Sequence, residues 1–285
     1  MKKLFSLSAL CALFISVAGL ATPAYAGKFN LSAGIGIEYM KYEEHFPEDA
    51  LTPFPVDSDA EVINTVASAV AEYTFNNKFF LGAKGAIPVG KGDDTEEWEE
   101  AGFLFQTNDL EYGWTRADAY AGYTFAFQGE DVIANEFSPF IGIRSSWAKQ
   151  ERSNFVVVGV PTPGLTATEK INSYGTILGF KAVNSLFDQK LVIGTNFEWV
   201  FPFDVEVTNT AIPGMEINAK KGYTWKLGIS GAYILSERWS IGSELYGGRM
   251  HWKGSDWVPY GIGFVKWPSN DTTYFGGNAS LTYKF

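Results

Sequence analysis

The chain has 285 residues, a formal net charge of −10, 46% hydrophobic and 16% aromatic residues, and 30 glycines. An acidic chain lacks the basic surface of a nucleic-acid-binding protein, so we expect no nucleic-acid partner. The hydrophobic content is too high for a disordered chain. A mean hydropathy of −0.04 is too low for a bundle of membrane-spanning helices. The glycine and aromatic content favours β structure.

Residues 1–26 have the pattern of a secretory signal peptide. Two lysines precede an apolar stretch from Leu4 to Leu20, and Ala24-Tyr25-Ala26 is a small-x-small cleavage site. A transmembrane anchor is the alternative interpretation. Cleavage would leave residues 27–285 as a single domain without cysteine, since Cys11 lies in the signal peptide. We therefore expect an exported protein without disulfides or thiolate metal sites.

The remainder of the chain alternates with the period of a β-strand. Between Tyr223 and Leu235, for example, every second residue is apolar or glycine, which places these residues on one side of a strand. The same alternation predicts ten strands, at about residues 28–42, 61–75, 79–90, 111–127, 137–152, 168–183, 190–204, 219–235, 238–252 and 274–285.

Short and long connections alternate between these strands, the long ones being 43–60, 91–110, 153–167, 205–218 and 253–273. This layout predicts an all-β fold, a transmembrane antiparallel β-barrel of about ten strands with both termini periplasmic. The last strand ends in Phe285, which fits a barrel of the outer membrane of a Gram-negative bacterium. A soluble secreted β-sandwich is the alternative.

If the apolar side of each strand faces lipid, the polar side lines the lumen. It carries five acidic and five basic residues: Glu38, Glu72, Asp118, Glu198, Glu244, Lys84, Arg116, Arg144, Lys181 and Lys226. A barrel of this size has little interior space, and buried charges must pair. Equal numbers of both signs favour a salt-bridge network that plugs the lumen. The alternative is a narrow ion-selective channel, which favours rings of one sign.

The predicted long connections are acidic, above all 43–60 and 91–110. Such runs favour a solvated surface, or one that attracts cationic ligands or divalent ions. The spacing of an EF-hand is absent, so we expect no metal site and no other cofactor.

Two of the connections are apolar or aromatic instead. Residues 153–167 contain the apolar run Phe155–Val160, which is either a contact surface or a continuation of the hairpin. The last connection contributes aromatic residues that we expect at the outer membrane interface, with a carbohydrate platform as the alternative: Trp252, Trp257, Tyr260, Phe264 and Trp267.

The chain resembles the omptin family of outer-membrane proteases. The resemblance covers the ten-strand layout, the segment Ala71–Ala83, the acidic stretch with Glu97-Trp98, and the run from Gly222 to Trp252. It implies a barrel whose long connections face outwards, and catalysis by an Asp pair facing an Asp-His pair. The Asp-His pair would fall in 205–218, which has neither residue.

The remaining candidates for omptin-like chemistry are therefore few: Asp93, Asp94, Glu97, His251 and Asp256. Histidine is the usual general base near neutral pH, and His251 could approach Asp256. Since the catalytic pattern is not matched, we expect a non-enzymatic barrel in surface interaction or envelope integrity. The alternatives are a divergent endopeptidase that cleaves basic peptides and a narrow channel. The expected partners are outer-membrane lipid with lipopolysaccharide and a cationic peptide or surface ligand, and we expect a monomer.

Overall fold

The computed structural model describes residues 27–49, 53–127, 135–187 and 189–285, so the predicted signal peptide lies outside the described residues. Within these ranges the chain forms ten long strands, of which β3 is divided by Lys91 and Gly92. Their bounds are β1 Gly27–Phe46, β2 Val56–Phe75, β3 Phe79–Gly90 and Asp93–Glu100, β4 Phe103–Tyr123, β5 Glu136–Val157, β6 Ala167–Leu186, β7 Leu191–Asn209, β8 Lys220–Ile234, β9 Trp239–Lys253 and β10 Ser269–Lys284. Short strands occur at Phe125–Ala126, Val160–Pro161, Glu216–Asn218, Val258–Tyr260 and Gly263–Val265.

The ten strands close into one antiparallel barrel. Each long strand pairs with its neighbours in the sequence, and β1 also pairs with β10, from Asn30↔Lys284 to His45↔Ser269. Closure satisfies the backbone groups that an open sheet would leave at its edges. The prediction of an all-β antiparallel barrel of ten strands is confirmed. We call the end with residues 27 and 284 the short-turn end and the opposite end the long-hairpin end.

The strands are longer than a membrane requires. β1 has 20 residues and β5 has 22, whereas a tilted strand crosses the hydrocarbon core in about 9–11 residues. Much of the predicted connections 43–60 and 91–110 is therefore strand, and the prediction of loops there was wrong. The outer wall meets water in these segments, so charged residues occupy both faces of the strands. The apolar alternation that marks a strand is therefore lost. In 153–167 the strand continues to Val157 and pairs with Val160–Pro161, in agreement with a continuation of the hairpin.

The outer wall carries an apolar band. Ile35, Ile37, Ile141 and Ile143 are each more than half exposed and point away from the barrel. At the short-turn end, aromatic rings such as Trp239 and Tyr283 pack together on the wall, as residues of a membrane interface do. The described residues include no helix with the length and apolar character needed to span a membrane.

An apolar plug fills the lumen on the long-hairpin side of its centre. Its members are almost completely buried: Met40, Tyr42, Ala60, Val62, Leu110, Tyr112, Trp114, Ala148, Ile171, Val205, Val207, Ile217, Tyr246, Met250, Trp252, Trp267 and Tyr274. The expectation that Trp252 and Trp267 lie at the membrane interface was wrong, because both point inwards and are 1% and 2% exposed. These side chains pack against one another inside the barrel.

Candidate functional site: the barrel interior and its long-hairpin end

The ten charged residues predicted to line the lumen do form ion pairs inside the barrel, and we call them the lumen network. At its centre, Arg144 donates two hydrogen bonds of 2.7 Å to Asp118 and one of 2.7 Å to Glu198. Lys84 pairs with Glu198 and lies 3.5 Å from Asp118. Asp118, Arg144 and Glu198 are all more than nine-tenths buried. Two cations therefore neutralise two carboxylates at this level.

Three further pairs surround this centre. Arg116 donates to Glu38 at 2.8 Å, where the hydroxyl of Tyr246 also donates at 2.9 Å. Lys226 contacts Glu244 at 2.8 Å, and Lys181 pairs with Glu72. Every one of the ten residues thus has a partner of opposite sign, which leaves no ring of one sign across the lumen.

A second cluster lies beyond the plug, at the long-hairpin end, and we call Glu44, Glu96, Arg152 and Glu169 the outer network. Arg152 donates to Glu96 at 2.6 and 2.9 Å and to Glu44 at 2.9 Å. Glu169 accepts a 2.9 Å hydrogen bond from the indole of Trp267. All four charged residues are more than nine-tenths buried. One guanidinium therefore contacts two of the three carboxylates, and the third accepts its hydrogen bonds from neutral groups.

The sequence pattern does not reveal the outer network, because the loss of apolar alternation places Glu44 and Glu96 in predicted loops. The signal that could have found them is register. Glu44 follows Tyr42 by two residues, and Arg152 follows Gln150 by two, so both continue the inward face of their strands.

Burial and the charge of Arg152 shift the pKa values of the outer network in opposite directions. Burial raises the pKa of Glu44 to about 7, although the charge of Arg152 acts in the opposite direction. Burial raises the pKa of Glu169 as well. Burial alone would also raise the pKa of Glu96, but the charge and hydrogen bonds of Arg152 lower it overall. The outer network therefore consists of the Glu96–Arg152 ion pair and two carboxyls, Glu44 and Glu169, with raised pKa values.

We expect the protein to be more stable at pH 5 than at pH 8. A carboxyl whose pKa is higher in the folded than in the unfolded chain stabilises the fold below its unfolded pKa, and this contribution is lost as the pH rises through the folded pKa. For Glu44 the window runs from about pH 4.5 to about pH 7, and the shift is worth on the order of 3 kcal/mol. Thermal unfolding in detergent micelles at both pH values measures it.

Glu44→Gln should reduce this difference, because glutamine stays neutral at both pH values. Glu100→Gln is the matched control, since Glu100 is an exposed acid at the same end. If the stability of the Glu44→Gln protein depended on pH as that of the natural protein does, a raised pKa of Glu44 would be contradicted.

A cavity of about 220 Å³ adjoins the outer network. Its charged lining residues are Glu44, Glu169, Arg152 and Lys266, and the rings of Trp98 and Trp267 also face it. The two cations balance the two carboxylates, so the feature that favours a positively charged ligand here is the pair of aromatic faces.

The acidic candidates for omptin-like catalysis lie on the outer segment of β3. Asp93, Asp94 and Glu97 are exposed there. Asp94 accepts a 2.8 Å hydrogen bond from the backbone N–H of Glu61. Glu97 alternates with the inward-facing Glu96, so its side chain points away from the lumen.

The histidine candidate lies on another part of the wall. His251 contacts Asp271 on β10 at 3.0 Å, whereas Asp256 pairs with Lys220 at 2.6 Å. The order of the strands places β10, β1 and β2 between His251 on β9 and Glu97 on β3. Four inter-strand steps amount to about 19 Å along the wall. The structure therefore brings His251 to Asp271 and does not bring it to Glu97 or Asp256.

Sequence reasoning also missed the second histidine–carboxylate pair, His45 with Asp57, which lies on β1 and β2. Among the described residues, no group of three or more histidine, cysteine or carboxylate side chains is arranged to hold a metal ion.

Comparison with known proteins gives matches among solved structures. The outer membrane protease OmpT from Escherichia coli superposes with a TM-score of 0.73 at 10% identity, covering 93% of this chain and 99% of that one. The translocator domain of the autotransporter NalP from Neisseria meningitidis gives 0.39 at 10% identity, covering 98% and 97%. The outer membrane protein OprG from Pseudomonas aeruginosa gives 0.33 at 11%, covering 92% and 97%. No family model and no curated protein matches.

The likeness to OmpT extends over nearly the whole of both chains. It confirms the predicted omptin-like barrel as a fold, and the chain has the architecture of an outer-membrane β-barrel. At 10% identity the likeness concerns the fold alone.

Proposed function

We propose that the protein is a sealed, non-enzymatic barrel of the Gram-negative outer membrane, whose long-hairpin end faces outwards and binds ligands at the cell surface. The observation that carries the proposal is the plug. Side chains such as Tyr42, Trp114 and Tyr274, each at most 2% exposed, fill the lumen between two networks of paired charges. A conducting pore needs a continuous aqueous path, and buried side chains inside the lumen support a barrel without one.

The partners follow from the surface. The apolar band suits outer-membrane lipid, with lipopolysaccharide in the outer leaflet, and the closed sheet leaves no edge for pairing with a second chain. We infer a monomer. Fractionation of cells should recover the protein with the outer membrane, and folded protein should migrate faster than boiled protein in SDS gels.

Single-channel recording in a planar bilayer tests the seal. We expect no stable openings from the natural protein. A variant with Trp114→Ala, Trp252→Ala and Tyr274→Ala removes three large plug residues and serves as the open control, for which we expect openings. Stable openings in the natural protein would overturn the proposal.

A second candidate function is the binding of a cationic ligand at the long-hairpin end. The observation that favours it is the cavity lined by Glu44 and Glu169 beside Trp98 and Trp267. A peptide rich in lysine and arginine should bind, and Glu169→Gln should weaken binding more than Glu216→Gln does, since Glu216 is an exposed acid at the same end. Equal affinities for the two variants would remove this cavity as the site.

An endopeptidase is the weaker alternative. It would require Glu97 and His251 to act on one peptide bond, although they lie on strands separated by three others. We expect the same basic peptides to remain intact in the presence of lipopolysaccharide. Cleavage that is lost on His251→Ala would establish the endopeptidase instead.

A further inference from the structure

Two hairpin tips lie side by side at the outermost part of the barrel. One is the Ala101–Gly102 turn between β3 and β4, and the other is the Val158–Gly159 turn after β5. The backbone N–H of Val158 donates to the carbonyl of Phe105 at 2.7 Å, which fixes the tips against each other. They therefore form one surface.

This surface is apolar and exposed. We call Phe103, Leu104, Val158 and Val160 the tip patch, and these side chains are 77%, 54%, 77% and 65% exposed. A Cβ atom added at Gly102 or Gly159 would meet no atom within 4 Å, so open space surrounds both turns. The patch is convex, and it lies on a part of the barrel that extends beyond the apolar band.

The backbone conformation at Val158 is one that valine disfavours. Its φ is 49° and that of Gly159 is 74°, the positive values of a tight hairpin turn in which asparagine or glycine is favoured at the first position. A β-branched residue is strained there. At 77% exposure, Val158 gains little packing within the chain that would offset this strain. Packing within the chain therefore does not account for valine at this position.

Negative charge surrounds the tip patch. Glu99 pairs in register with Leu104, and Glu100 with Phe103. Residues 93–109 and 153–167 contain no lysine or arginine. A partner that covers the patch must therefore accept apolar side chains and supply positive charge around them.

We propose that the tip patch inserts into an apolar pocket, rimmed by basic residues, on a folded partner protein at the cell surface. A convex patch needs a concave partner, which a flat lipid surface does not provide, and the anionic rim is repelled by anionic lipid. The inference deepens the proposed surface function and rests on it only for the outward orientation of this end.

A β-cyclodextrin with primary ammonium groups on one rim reproduces the proposed pocket, since it combines an apolar cavity with a ring of cations. It is titrated into the full protein in lipid nanodiscs, and the NMR signals of Phe103, Val158 and Val160 are followed. We expect it to bind at least ten times more tightly than neutral β-cyclodextrin. Glu99→Gln with Glu100→Gln should abolish that preference.

Two variants and one control locate the binding. Phe103→Ser and Val158→Asn should each weaken it about tenfold, and asparagine suits the turn at 158, so that variant should keep its fold. Phe264→Ser is the matched control, because Phe264 is exposed at the same end on another hairpin. Equal binding of neutral and cationic cyclodextrin, or no loss on Phe103→Ser, would overturn the proposal.

Titration with lipid vesicles tests whether the tip patch binds a membrane instead. Perturbation of the tip signals by phosphatidylcholine vesicles but not by the cationic cyclodextrin would assign the patch to a membrane and also overturn it. The titration depends neither on conductance nor on orientation in the cell. Its failure is therefore distinguishable from a failure of the sealed-barrel proposal, which bilayer recording and fractionation test.

Discussion

Replacing Arg144 by alanine should lower the free energy of unfolding by about 3–5 kcal/mol, because it leaves buried carboxylates without their cation. Arg144 makes three hydrogen bonds of 2.7 Å to Asp118 and Glu198. Both carboxylates are at most 3% exposed. After the substitution Lys84 would be their remaining ion-pair partner among the described residues. Urea unfolding in lipid vesicles, followed by tryptophan fluorescence, measures the change.

A double variant distinguishes the loss of charge pairing from the loss of packing. The double variant Asp118→Leu with Arg144→Leu removes one charge of each sign and keeps the Lys84–Glu198 pair. It should therefore recover most of the lost stability. Lys149→Ala is the matched control, since Lys149 is a partly exposed cation on the same strand as Arg144, and we expect a loss of less than about 1 kcal/mol. A double variant no more stable than Arg144→Ala would show that the loss comes from packing rather than from charge.

The lumen network could be predicted because it lies where lipid contacts the wall. The outward-facing pairs Ile35 and Ile37, and Ile141 and Ile143, must be apolar because they face lipid. The charged residue that follows each pair therefore points into the lumen. This constraint places Glu38 and Arg144 correctly without any knowledge of register. It also yields the number and order of the strands.

The same constraint ends where the barrel leaves the lipid. Beyond that level Glu43 on the outer wall and Glu44 inside are adjacent acids, and only strand register separates them. His251 likewise reaches Asp271 because β9 and β10 are aligned at that pair. Pairings across strands depend on alignments that the alternation of a single strand does not specify, so Asp256 was the wrong neighbour to expect.

The two networks differ in their charge balance, and this difference has a physical consequence. The lumen network has five charges of each sign, and its ion pairs satisfy them at any pH at which carboxylates are ionised. The outer network has three carboxylates and Arg152, so it holds excess negative charge or protons. The membrane-level part of the barrel is therefore expected to be insensitive to pH near neutrality, and the long-hairpin end to be sensitive.

Replacing Arg152 by alanine is the test of this contrast. It removes the cation that contacts Glu44 and Glu96 at 2.6–2.9 Å, and at pH 8 we expect a loss of about 3–5 kcal/mol. At pH 5 the loss should be smaller, because Glu44, whose pKa burial raises to about 7, is then neutral. The loss after Arg144→Ala should depend less on pH.

Hydrogen exchange locates the effect. In the Arg152→Ala protein the amides of Asp93–Glu100 should exchange faster, whereas those of the membrane-level segment Phe79–Gly90 should keep their protection. Lys220→Ala is the control, since Lys220 contacts Asp256 at 2.6 Å on the exposed surface of the same end, where an ion pair contributes little. Leucine at both Arg152 and Glu96 should restore most of the protection, since it removes the cation together with the carboxylate that depends most on it. Equal losses at pH 5 and pH 8 would mean that packing around Arg152, and not the excess of carboxylates, governs the long-hairpin end.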